Sequence, residues 1–180
     1  MRQLKIAIVL ALALVLQSSV TAFWQSFRYV DLPLVVVVYF ALRRDALLAL
    51  AVGAVAGIGM DALGSGGLMG AFGFTKTFIA YTIYALSTRV MLDNPLMRIP
   101  VLASAALLNE VIYVLLQRMF NQPPLVAFVQ TAGLTLLWTT VAGTVLLQVL
   151  DLIFGERARQ RRQFAFRRKV ARRGMTMRRR

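Results

Sequence analysis

The sequence predicts an all-α integral membrane protein, a compact bundle of about six transmembrane helices followed by a short basic tail. Three observations carry this. Hydrophobic residues make up 59% of 180 residues, and the mean hydropathy is +0.69, more apolar surface than a soluble core of this length can hide. The apolar stretches are interrupted only by isolated charges. Of the 21 Lys and Arg, 12 fall in the last 25 residues, so residues 1–155 carry a net charge of +3 and residues 156–180 carry +11. The expected division is a transmembrane helical bundle over 1–155 and a cytoplasmic arginine-rich tail over 156–180.

Charge-free stretches and turn residues mark six segments, 6–24, 30–42, 46–61, 68–88, 99–118 and 125–153. Their Leu, Ala and Val runs lack the alternation of a membrane strand, and in lipid only helices or closed barrels satisfy every backbone group. Arg2 and Lys5 before the first run resemble a signal peptide, but no short processing region follows, and the segment reads as a retained span. Segment two is short: thirteen residues rise about 20 Å against a hydrocarbon core of about 30 Å. It is either a thinned span helped by snorkelling of Arg28, Arg43 and Arg44, or a re-entrant hairpin with segment three.

Six spans with the N-terminus inside place 18 bases in the cytoplasm, leave Arg28 and Arg118 outside, and bury Lys76 within a span. That bias fixes the orientation and puts both termini in the cytoplasm. Loops this short leave no room for a soluble catalytic domain. The absence of Cys and His removes disulfides, thiolate nucleophiles, imidazole-based metal or haem sites and any triad with a His base. No catalytic, metal or cofactor site is expected.

Within the spans a few residues stand out. Gly53 and Gly57 with Ala49 form a small face on segment three that ends at Asp61, the spacing at which helix backbones approach closely in lipid. The contact is either internal or with another chain. Gly64, Gly66 and Gly67 make an outward turn, which lacks the Gly-Lys-Ser/Thr ending of a phosphate loop and reads as a tight connection. Lys76 and Glu110 each lie eight residues in from an outer edge, at Leu68 and Arg118, so both sit roughly 12 Å deep. Gln17 shares that layer. Equal depth predicts that Lys76 and Glu110 face the interior and interact, directly or through one polar group such as Gln17. The alternatives are that Lys76 snorkels outward and that Glu110 is protonated or pairs with Asn109 or Gln117. The tail interleaves its bases with Phe164 and Phe166, which suits adhesion to anionic lipid better than nucleic-acid recognition.

The order of features resembles the bacterial rod shape-determining protein family MreD. The matching residues are Leu16-Gln17-Ser18-Ser19, Val30-Asp31-Leu32-Pro33-Leu34, the run from Gly53 to Asp61, and the glycine turn leading to Thr75-Lys76. Coverage runs from about residue 6 to 153. The long arginine-rich tail departs from the pattern. The resemblance implies a non-enzymatic scaffold of the cell-elongation machinery in the bacterial inner membrane. Its implied partners are MreC, a single-span protein, and, directly or indirectly, MreB, RodA and the transpeptidase that works with RodA. It also implies an architecture similar to the substrate-binding components of energy-coupling-factor transporters, which makes small-molecule transport the competing function.

Overall fold

Helices account for every extended element among the described residues, which number six helices and no strand. The computed structural model describes residues 2–23, 29–63, 68–90, 95–120 and 133–154. Gly64, Gly66, Gly67 and the tail 156–180 lie outside them. The helices are α1 (Arg2–Phe23), α2 (Leu32–Ala41), α3 (Ala46–Ala62), α4 (Ala71–Arg89) and α5 (Pro95–Met119), followed by α6 (Gly133–Phe154). The chain divides into two units, Met1–Val145 and Leu146–Arg180.

The first unit is built around α2, which packs against α1, α3, α4 and α5. All nine residues from Pro33 to Ala41 are buried. The short second segment is thus a helix of ten residues, rising about 15 Å, enclosed by other helices. Pro33 stands in its first turn, where no intrahelical bond requires a proline N–H. At its far end Arg44 takes a left-handed backbone with φ 62°, and Asp45 caps α3 by accepting from Leu48 N at 3.3 Å.

The seam between α3 and α4 is made by glycine. A Cβ on Gly53 would lie 2.9 Å from Ala80 Cβ and from the Lys76 carbonyl oxygen, and one on Gly57 only 2.3 Å from the Phe72 carbonyl oxygen. The small face of segment three is therefore an internal contact. Asp61 closes the same seam. Its Oδ1 accepts from Phe72 N at 3.2 Å and its Oδ2 from Gly73 N at 2.8 Å, so the last turn of α3 caps the first turn of α4. The turn into α4 passes through Gly70 at φ 92°, a conformation that favours glycine.

Polarity is distributed inside out. Leu4, Ile8, Leu12 and Val15 of α1, Phe74, Phe78 and Tyr81 of α4, and Leu107, Val111 and Leu115 of α5 are exposed, whereas Gln17, Asp31, Thr75, Lys76, Asn109, Gln117 and Thr139 are buried. Two helices, Met97–Met119 and Gly133–Phe154, are long and apolar enough to cross a membrane, and Gln3–Ser19, Leu32–Ala41 and Ala46–Ala62 are apolar but shorter.

A candidate functional site: the buried polar node

Residues Tyr29 to Asp31 precede α2 without regular α-helical structure, so their peptide groups must find partners outside a helix. Irregular backbone within an apolar bundle is tolerated only where such partners exist. Gln17 of α1 supplies two: its Nε2 donates to the Val30 carbonyl at 2.7 Å, and its Oε1 accepts from Leu32 N at 3.0 Å. Thr139 of α6 supplies two more, its hydroxyl donating to the Tyr29 carbonyl at 3.1 Å and accepting from Asp31 N at 3.2 Å. One amide and one hydroxyl, from helices at opposite ends of the chain, hold this short segment.

Asp31 then starts the helix it precedes. Its Oδ1 accepts from Leu34 N at 2.9 Å, the N-cap geometry, and its Oδ2 accepts from Lys76 Nζ in a buried ion pair. A carboxylate at a helix N-terminus is favoured by the exposed N–H groups there. The ammonium supplies the charge that burial would otherwise leave uncompensated. Lys76 is fully enclosed, at 0% exposure, with its Nζ 5.7 Å from the centre of the Phe72 ring. That ring stacks on Tyr113 of α5 with centroids 4.6 Å apart.

The expected pairing of Lys76 with Glu110 is therefore corrected: Lys76 pairs with Asp31. Nor does it snorkel. Depth contains no azimuth, and the capping carboxylate of α2 points at Lys76 from inside the bundle. Gln17, expected as the bridging group, binds backbone beside the pair. Glu110 is half-buried on α5, within electrostatic reach of both Asp31 and Lys76, and forms no hydrogen bond or ion pair with any described residue. Its neighbour Asn109 is buried, and its Oδ1 has no hydrogen-bond partner among the described residues.

Of the sequence-predicted residues, Gln17, Asp31 and Lys76 come together with Pro33 beside them, whereas Gly53, Gly57 and Asp61 belong to the α3–α4 seam. Thr139 was not singled out by the sequence. A threonine in an apolar helix usually bonds its own i−4 carbonyl, as Thr140 and Thr144 do here, and nothing local marks Thr139 as different. Chemically the node binds backbone and neutralises charge. Among the described residues no group of three or more His, Cys, Asp or Glu could hold a metal ion. Compared with protein-family models, curated proteins and solved structures, the chain finds no match.

Proposed function

We propose that this chain is a non-enzymatic membrane scaffold of the MreD type, spanning the bacterial inner membrane six times with both termini in the cytoplasm. It would bind MreC and, directly or indirectly, couple MreB filaments to RodA and its transpeptidase partner. The observation that carries this reading is how the buried polar groups are used. Gln17, Asp31, Lys76 and Thr139 are engaged with one another or with the backbone of residues 29–34, so they stiffen the bundle and are not left to bind a transported solute. A ligand site needs convergent polar groups that remain available.

The membrane location is supported by the exposed apolar stripes on α1, α4 and α5 over a polar interior, together with the 18-to-two distribution of bases. The family itself rests on the resemblance in residues 16–19, 30–34, 53–61 and 75–76. Affinity purification from native membranes tests the function. Co-purification of MreC and wall synthases supports scaffolding. An ATPase-bearing coupling subunit or a bound vitamin would instead establish transport.

A further inference from the structure

We propose that the flank of α5 around Glu110 is a docking surface for a transmembrane helix of a different chain that carries a lysine or arginine at mid-membrane depth. The proposal deepens the scaffold reading and rests on its membrane placement. It begins with charge. Lys76 and Asp31 form an ion pair with each other, and Glu110 has no hydrogen bond or ion pair among the described residues. Glu110 lies 13 residues beyond Met97 and nine before Met119 in the apolar stretch of α5, about 20 Å and 14 Å from its ends. At that depth an acid is costly unless something supplies a proton or a positive charge.

Its position is at the edge of the packed face. Leu102, Ala105, Ala106 and Asn109 define the buried face of α5, and Leu107, Val111 and Leu115 an exposed stripe. Successive residues turn by about 100° on a helix, so half-buried Glu110 stands on the border between the two. Glu110 adjoins the apolar stripe of Leu107, Val111 and Leu115, and only 28% of the most apolar stretch of α5 is buried. Charge complementarity then names the occupant. Packing and polar contacts, not apolar burial, drive helix association in lipid. An acid with no ion pair among the described residues selects a helix with a base at the same level.

A second copy of this chain does not fit. Among the described residues Arg2, Lys5, Arg43, Arg44, Arg89, Arg98 and Arg118 lie near helix ends, and Lys76, the base in mid-helix, is fully enclosed. None of the described bases can be presented to Glu110 from the lipid side of a twin.

A photo-crosslinking amino acid placed at Val111 of the full chain in native membranes tests this, with Val15 on α1 as the control position. The expected result is an adduct from Val111, but not Val15, with a transmembrane helix that contains a mid-span Lys or Arg. Glu110→Gln should lower its yield about three- to tenfold, in line with the modest weight of polar contacts in lipid. Exchanging the charges, Glu110→Lys together with the captured base changed to Glu, should restore it. If Glu110→Gln accumulates poorly, changing the captured base to Met leaves this chain intact and must give the same loss. Lipid adducts only, an adduct with a second copy, a captured helix without a base, or a yield indifferent to Glu110 each overturn the proposal. Co-purification of MreC with a Glu110-independent adduct would overturn the docking surface and leave the scaffold standing. A base-bearing partner from outside the elongation machinery would do the reverse.

Discussion

Lys76 and Asp31 stand 45 positions apart and meet as a buried ion pair, with the carboxylate also capping α2. One aspartate thus joins the central helix to α4 while starting its own helix. Removing one partner leaves the other charge uncompensated, at a cost of about 3–5 kcal/mol. Lys76→Met and Asp31→Asn should each lower thermal stability in detergent strongly. Asparagine can still accept from Leu34 N, so Asp31→Asn isolates the charge. The double variant should be more stable than the sum of the single losses predicts. A double-mutant cycle measures this, and additive losses would mean that the pair contributes no coupling.

What was legible in the sequence divides along physical lines. Helices and their order follow from composition and turn residues, so segments 6–24, 46–61, 68–88 and 99–118 reappear as α1, α3, α4 and α5 with ends shifted by up to four residues. The small face at Gly53 and Gly57 was legible because its four-residue spacing has few other uses. Azimuth and enclosure were not. A segment apolar on every side gives no periodic signal for which face is buried, so α2 looked like a thin span when it is the helix the others surround, and Lys76 was matched to an acid at equal depth. Asp31 was singled out, but nothing in its neighbourhood tells a helix cap from a cap that also binds a lysine 45 positions away.

The α3–α4 and α1–α3 contacts predict an order among glycine substitutions. Gly57→Ala forces a methyl against the Phe72 carbonyl and Gly73 backbone, with contacts of 2.3 to 2.7 Å, and only a helix shift can relieve it. Gly53→Ala meets Ala80 Cβ and backbone of α4 at 2.9 to 3.1 Å, a milder clash. Gly59→Ala meets the end of the Leu14 side chain, which can rotate away. Overpacking costs typically about 1–3 kcal/mol, so membrane accumulation should fall in the order Gly57, Gly53, Gly59. Equal accumulation of all three would show that the seam yields without loss.

Asp61 should behave as a cap between helices. Asp61→Ala removes acceptors from Phe72 N and Gly73 N, and losing a capping side chain costs about 0.5–2 kcal/mol. Asp61→Asn keeps one acceptor oxygen and should recover part of that loss. Hydrogen exchange of the Phe72 and Gly73 amides reports it directly. Exchange should quicken in Asp61→Ala and less so in Asp61→Asn, and unchanged protection would show that the cap is dispensable.

The charge distribution predicts topology. Cysteines introduced at Ser65 and Asn121, in a protein that has none of its own, should react with an impermeant thiol reagent applied from outside, and one at Thr176 should not. The enclosure of α2 makes the Ser65 result informative, because α2 and α3 must together return the chain to the outer face. Reversed labelling would refute the orientation. Protection of Ser65 alone would favour the re-entrant hairpin of segments two and three.

The tail should adhere to the inner leaflet through charge. Residues 156–180 carry 12 bases and one acid, and each base near an anionic surface contributes about 1 kcal/mol. A synthetic peptide of this segment should bind vesicles containing anionic lipid at low salt. It should leave them as salt rises, since screening shortens from about 10 Å at 0.1 M to about 3 Å at 1 M. Phe164 and Phe166 add an apolar contribution that salt does not screen, so a residual bound fraction at high salt should disappear when both are changed to Ser. Equal binding to neutral vesicles would exclude the electrostatic account. A tail-deleted chain that inserts normally yet fails to support rod shape would assign the tail to a protein partner, because lipid adhesion alone is redundant for a protein already anchored by transmembrane helices.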